Sequence, residues 1–244
     1  MRYAILGDIH SNLTALEAVL KEVDRLGVDR TYSVGDVVGY GGAPREVLDL
    51  MRERQIPAVK GNHDAAVVGE LDTAFFNPMA RAAVDWTRAE LTERDLDWLQ
   101  NLPLTIDMED GSISHGTYAH PEAYEYIQST DDAEPSLNLQ PTMACFVGHT
   151  HVPVTILRLK EDPTRTFYTV DTEVDLSLAQ RALVNVGSVG QPRDEDPRAA
   201  LGIFDAETGQ FRLHRVEYDI DREAKRILAA GLPEMLASRL FMGI

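Results

Sequence analysis

The sequence predicts an α/β fold made of two facing mixed β-sheets with helices outside, and three observations carry that expectation. Apolar runs of strand character alternate with amphipathic helical periods through residues 1–100, and from Leu104 onward the pattern turns to short β-like runs. Four polar clusters stand at the ends of four apolar runs: Asp8-Ile9-His10, Gly35-Asp36, Gly61-Asn62-His63-Asp64 and Gly148-His149-Thr150-His151.

In chain order, Tyr3–Leu6 reads as a strand and Asn12–Leu26 as a helix, with Leu13, Leu16, Val19, Leu20 and Val23 at helical spacing. Arg30–Val34 is the next strand, Pro44–Glu53 a helix with proline near its first turn, and Ile56–Val59 a run leading into Gly61. This βαβαβ order predicts parallel strands with right-handed crossovers, and it sets Asp8, Asp36 and Asn62 just past three strand ends, where open α/β sheets bind ligands. Asn77–Asn101 reads as helical, with Trp86 and Trp98 as packing residues. Eight β-like runs follow: Leu104–Asp107, Ser112–Ser114, Cys145–Val147, Val154–Leu159, Arg165–Val170, Leu183–Val186, Leu201–Phe204 and Phe211–Val216. Asp221–Leu240 reads as two short helices broken by Gly231-Leu232-Pro233. The polar, acidic and aromatic stretch Gly116–Thr142 is expected to be a cap or substrate-facing loop, or else a surface excursion. Without repeats or linkers, residues 1–244 are expected to form a single domain.

Composition excludes several classes. With 44% apolar residues and no run of about eighteen, the chain reads as soluble and globular, with no membrane span. Met1 leads directly into a strand and a site residue by position 8, which leaves no room for a cleaved leader. The lone Cys145 sits in an apolar strand, as a buried thiol in a reducing compartment would, so a cytoplasmic protein is expected. A formal charge of −17 repels nucleic acid as a bulk ligand. Bound cations could still make one pocket positive, so a small anionic substrate remains compatible.

Five of the seven histidines, His10, His63, His115, His149 and His151, lie in the polar clusters or just after Ser112-Ile113-Ser114. Carboxylate, imidazole and amide oxygen without thiolate is a ligand inventory for two adjacent divalent cations. Taken singly, Asp8 and Asp36 read as helix N-caps or Asx-turn residues, the better reading for an isolated Asp-Ile-His, and His63-Asp64 as the cap of a helix starting there. His149 and His151, two residues apart, point to one side of an extended segment. Arg193 is a candidate for bidentate phosphate contact or for an ion pair within Arg193-Asp194-Glu195-Asp196. Asn12 and His120 are lesser candidates near the site.

The ordered set D-x-H, G-D, G-N-H-D, S-H-G and G-H-T-H resembles the calcineurin-like metallophosphoesterases, and Asn185–Asp194 is similar to the N-P-G-S-x-G-x-P-R segment of small prokaryotic members. Together the matches span essentially the whole chain. The resemblance implies the family's four-layer αββα sandwich. It also implies that Asp8, His10 and His151 hold one metal and Asn62, His115 and His149 a second, with Asp36 bridging. Mn, Fe, Zn, Co or Ni suit that mixed set. A bridging carboxylate spaces two cations roughly 3.5–4 Å apart, a shared hydroxide attacks phosphorus, and His63 serves as general acid or stabilising cation. Substrate contacts are expected from Asn62, Arg193 and Asn12.

The departures narrow the branch. Where protein phosphatases and symmetrical dinucleoside tetraphosphatases carry G-D-x-x-D-R-G, this chain reads Gly35-Asp36-Val37-Val38-Gly39-Tyr40-Gly41, without the carboxylate that orients the catalytic histidine or the adjacent arginine. The chain therefore looks closer to the compact prokaryotic phosphodiesterase-like branch. The alternatives are a protein or dinucleoside polyphosphate phosphatase, and a non-catalytic metal-binding scaffold of the same fold.

Overall fold

The computed structural model describes all residues 1–244, and in it the apolar runs fall into eleven strands and eight α-helices. In order these are β1 (Arg2–Leu6), α1 (Leu13–Leu26), β2 (Arg30–Ser33), α2 (Pro44–Glu53), α3 (Asn62–Val68), α4 (Pro78–Glu90), α5 (Glu93–Gln100), β3 (Thr105–Asp107), β4 (Ser112–Ser114), α6 (Thr130–Leu139), β5 (Ala144–Val147), β6 (Val154–Leu159), β7 (Thr166–Thr169), β8 (Glu173–Asp175), β9 (Ala179–Asn185), β10 (Ala199–Asp205), β11 (Gln210–Val216), α7 (Ile220–Ala229) and α8 (Glu234–Ser238). One sheet has the order β2-β1-β10-β11-β8 and the other β3-β4-β5-β9-β6-β7. Strands β1 and β2 run parallel, as do β4, β5 and β9, and the other pairs are antiparallel.

The period-2 alternation of strand side chains builds the layers. From β1, Tyr3 and Ile5 enter the core between the sheets with Phe146, Val184, Phe204 and Phe211. Ala4 and Leu6 face the opposite way, against Leu16 and Val19 of α1, Val47 and Met51 of α2, and Ala66 of α3. On the second sheet Phe146 and Val184 point inward, while Cys145, Val147 and Leu183 meet Ala133 and Leu137 of α6. The result is the four-layer αββα sandwich. Buried among apolar neighbours, the Cys145 thiol is pushed up to about 12.

Local chemistry explains the helix ends. The Asn12 side chain accepts from Ala15 N at 2.9 Å, and Gly27 at φ 63 closes α1 through its N–H to Val23 O. The stretch expected as one helix over Asn77–Asn101 is two, because Thr92 accepts from Asp95 N while Asp95 accepts from Thr92 N, a capping box that starts a new helix. Ile56–Val59 is reduced to a single parallel bridge between Ala58 and Ser33, as Pro57 has no N–H to give to a ladder. Within Gly116–Thr142, expected as a cap or substrate-facing loop or else a surface excursion, Thr130–Leu139 forms α6, an outer-layer helix whose apolar pair Ala133 and Leu137 was masked by its acidic first turn and Pro135. Strand β8 was missed because Val174, between Glu173 and Asp175, is its only apolar residue.

Helices α7 and α8 and the helical turn Arg239–Phe241 pack Ile227, Leu236 and Leu240 with Tyr40, Ala80 and Ala83. No helix is long and apolar enough to cross a membrane. The fully buried Glu223 of α7 accepts from Thr14 Oγ1 at 2.7 Å, Thr14 N at 3.2 Å and the Arg226 guanidinium at 2.7 Å. Replacing Glu223 by alanine strands these donors, so urea titration should show a loss of about 2–4 kcal/mol, and less for Glu223→Gln. Native protein at neutral pH should leave Cys145 unreactive toward a thiol reagent until denaturant is added; rapid labelling of the native protein would contradict its burial.

Candidate metal centre

The parallel strands end at one edge, and five chain segments leaving that edge converge. Strand β1 delivers Asp8 and His10, β2 delivers Asp36, the Ala58 bridge delivers Asn62 and His63, β4 delivers His115, and β5 delivers His149 and His151. All eight side chains are at most 8% exposed. Ligand atoms of Asp8, His10, Asp36 and His151 lie within 4.8 Å of one another, as do those of Asp36, His115 and His149. Asn62 Oδ1 joins the second group at 3.1 Å from His115 Nε2.

Backbone geometry holds these positions. Ile9 N and His10 N both donate to Asp36 O at 2.9 Å, His63 N donates to Asp36 Oδ1 at 2.8 Å, and His149 N donates to the Asp8 carboxylate at 3.0 Å. His10, Asp36, His149 and His151 all have left-handed backbones, with φ of 49, 48, 67 and 62°, a conformation that non-glycine residues keep only where surroundings impose it. Gly61 and Gly148 are required by space, since a Cβ on either would overlap the Asp36 or the Asp8 carboxylate.

The imidazole tautomers supply a test of metal fit. Nδ1 of His10, His115 and His151 lies 3.1, 2.8 and 2.6 Å from the carbonyls of Val38, Val34 and Gln191. A carbonyl only accepts, so each Nδ1 carries the proton and each Nε2 turns a lone pair, when neutral, into the cluster. His10 Nε2 and His151 Nε2 then face each other at 3.0 Å, and His115 Nε2 faces His149 Nδ1 at 3.1 Å. Converging lone pairs beside two carboxylates repel unless positive charge lies among them, and the residues therefore fit divalent metal.

Electrostatics agrees for His10, His149 and His151, while in the metal-free protein His115 keeps its proton beside Asp36. Burial holds His10 and His151 well below the usual imidazole range and lowers His149 to about 3 and His63 to about 4. Burial disfavours charge on His115 as well, but Asp36, whose Oδ2 lies 3.4 Å from Nε2, and then Asp8 outweigh it and raise His115 to about 9. Asp36 stays well below the carboxylate range despite its burial, because His115 and His63 favour its charge.

His63 has no orienting carboxylate. Its Nδ1 is buried without a hydrogen-bond partner, and its ring is held between Tyr40 at 4.3 Å and Phe76 at 5.2 Å between centroids. Arg193 pairs with no carboxylate; its guanidinium donates to Gln191 Oε1 at 2.8 Å and lies 5.8 Å from the Tyr40 ring centroid, while Asp194 goes to Arg215 and Asp196 to Arg198. Asn12, expected at the substrate, is 1% exposed; its Oδ1 caps α1 and its Nδ2 donates to Gly190 O at 2.9 Å, so its amide ties α1 to the segment after β9. His120 is exposed, and only its carbonyl is engaged, by Thr117 Oγ1 and Ala123 N.

Other supporting residues were not foreseen. Asp64 accepts from Gly61 N, Val38 N and Val37 N at 3.0, 3.1 and 3.3 Å, tying α3 to the Asp36 loop. Asn185 donates to Gly148 O at 2.6 Å, Ser188 Oγ to Asp8 O at 2.7 Å, and Gln191 O receives His151, so the segment after β9 braces the cluster from below. Tyr126 stacks on His149 at 3.9 Å and 16°. Its only sequence signal was the aromatic content of the stretch after His115.

Two facing sheets with a buried aspartate and histidine cluster at strand ends define a metal-binding α/β protein. The family model for the calcineurin-like phosphoesterase superfamily domain matches residues 1–209. An uncharacterized protein of Methanocaldococcus jannaschii is 36% identical, over 98% of this chain and 97% of its own length. Among solved structures, a metallophosphoesterase from Sphaerobacter thermophilus superimposes with a TM-score of 0.86 at 41% identity, covering 100% of this chain and 99% of its own. A hypothetical protein from Pyrococcus horikoshii OT3 shares the fold, with a TM-score of 0.80 at 21% identity and coverage of 100% and 98%. The chain belongs to the calcineurin-like phosphoesterase superfamily, whose members are metal-dependent hydrolases of phosphoesters.

If the histidine lone pairs bind metal, adding Mn or Zn to chelator-stripped protein should raise its thermal midpoint. At a hundredfold excess over Kd the gain is about 2.7 kcal/mol, or roughly 5–10 °C for a chain of this size. His151→Ala should shrink the shift, and no shift with any of Mn, Fe, Zn, Co or Ni would contradict the site.

Proposed function

We propose that the protein is a cytoplasmic phosphoesterase that uses two divalent cations to hydrolyse phosphodiester or phosphomonoester bonds in a small substrate. One observation carries this reading: a single oxygen, Asp36 Oδ2, lies 3.5 Å from His10 Nε2 and 3.4 Å from His115 Nε2, so one carboxylate belongs to both ligand groups. Asp8, His10 and His151 would hold one cation with Asp36, and Asn62, His115 and His149 the other. When bound, such a pair supplies positive charge for phosphoryl oxygens and acidifies water near neutral pH. Mn, Fe, Zn, Co and Ni all suit the donors.

The chain's own residues do the rest. The carbonyls behind His10, His115 and His151 fix which nitrogen faces inward. His63 follows Asn62 at the start of α3, so its imidazole stands at the rim of the cluster, where it would give a proton to the departing oxygen. A bound phosphoester brings negative charge beside His63, which opposes the burial that keeps the ring neutral in the free protein. Arg193, without a carboxylate partner, is free to meet a phosphoryl or distal anionic group. The chain's charge of −17 favours a small ligand over a nucleic-acid polymer.

Chelator-stripped protein given back one metal at a time should hydrolyse bis-p-nitrophenyl phosphate or p-nitrophenyl phosphate. Asp36→Ala should lose both bound metal and turnover. His63→Ala should retain metal yet lose about 10²-fold or more on esters with poor leaving groups, with a smaller loss on nitrophenyl esters, whose leaving oxygen needs no proton. Full turnover by His63→Ala on a poor leaving group would remove it from the acid role, and stoichiometric metal binding with no turnover on any ester would favour a non-catalytic scaffold.

A further inference from the structure

The depression beside His63 has walls that hydrolysis alone does not require. It encloses about 450 Å³, enough for a small organic group, and its lining includes Tyr40, His63, Phe75, Phe76, Tyr124 and Tyr126. No lysine or arginine lines it, and its one carboxylate, Asp72, caps the turn Thr73–Phe75. Phe75 at the mouth is 95% exposed, and Tyr126, stacked on His149, keeps half its surface in solvent. Tyr124 has a left-handed backbone at φ 50°, a strained state for an aromatic residue. The His63 ring shares this wall, with its Nδ1 buried without a partner against Gly39.

We propose that this depression seats the leaving group of the substrate and that the group is a neutral aromatic ring system of up to mononucleoside size, stacked against Tyr126 and Phe75. The inference rests on the phosphoesterase reading of the adjacent cluster. Aromatic walls bind rings by stacking, whatever the ring's edge carries. The lack of cations argues against a second phosphate there; an anionic extension would lie instead toward Arg193, in the separate groove of about 1140 Å³ on whose wall Tyr126 also stands. In the reaction, the bond from phosphorus to the leaving oxygen breaks, a water oxygen bonds to phosphorus, and one proton of that water ends on the leaving alcohol. His63 lines the same depression, so the leaving oxygen would emerge beside the imidazole assigned to protonate it.

The test compares non-hydrolysable phosphonates as inhibitors of bis-p-nitrophenyl phosphate hydrolysis by the full chain, loaded with whichever metal restores turnover. Benzylphosphonate should inhibit about tenfold more tightly than methylphosphonate or cyclohexylmethylphosphonate, the scale of one stacking contact. Phe75→Ala, at an almost wholly exposed position, and Tyr126→Ala should each bring the benzyl-to-methyl ratio to within about threefold. Equal inhibition by the three phosphonates, or a benzyl preference that survives both substitutions, would overturn the inference while leaving the phosphoesterase reading intact. Absence of hydrolysis with every metal would overturn that reading and this inference with it.

Discussion

Asp8 and Asp36 are buried together between strand ends, at most 1% exposed, with no lysine or arginine in ion-pair reach. An uncompensated pair of carboxylates in such a place would cost many kcal/mol. The rest of the architecture answers that constraint. Backbone N–H groups of His149 and His63 point at the carboxylates, and glycines at positions 61 and 148 let the chain pass close enough for them to do so. Imidazoles surround the pair with tautomers fixed by carbonyls, and four of the converging residues accept left-handed backbones. Strain of this kind persists only where a packed sandwich enforces it.

Much of the fold was legible because strands and helices announce themselves by period. Tyr3 through Leu6 alternates between two cores, and Leu13 through Val23 marks one helix face. The eight polar residues at the site were equally legible, since seven stand just beyond an apolar run and His115 follows Ser112-Ile113-Ser114. Less legible was anything decided by partners far away in sequence. Asn12 reads as a free polar residue until Gly190 arrives beside it, and Asp64 as a simple cap until the Asp36 loop folds over its carboxylate. Helix α6 hid behind an acidic first turn and an internal proline, because two apolar residues facing one sheet leave almost no periodic signal. The break at Thr92 was written locally, in Thr92 and Asp95, yet the apolar pattern on either side concealed it.

The site has two concentric shells of different character. The inner shell is polar and buried, and its atoms are set by backbone bonds. The outer shell is aromatic: Tyr40 and Phe76 grip His63, and Tyr126 covers His149. In the absence of a carboxylate on His63 Nδ1, ring packing replaces hydrogen bonding as the means of orientation. Such packing fixes the plane of the imidazole while leaving the nitrogen free of a competing charge.

Tyr40 is backed by Ile227, Leu236 and Leu240 of the last helices, in a part of the chain beyond residues 1–209, whereas every carboxylate and imidazole of the cluster lies before it. Both shells thus lie in residues 1–209, and a separate stretch of sequence backs the outer one at Tyr40. Substitutions in the terminal helices reach the recess beside His63 through Tyr40, whose ring also lies 4.7 Å from that of His10. Such a layout lets the backing of the recess vary in sequence while the aspartates and histidines of the cluster keep their identities.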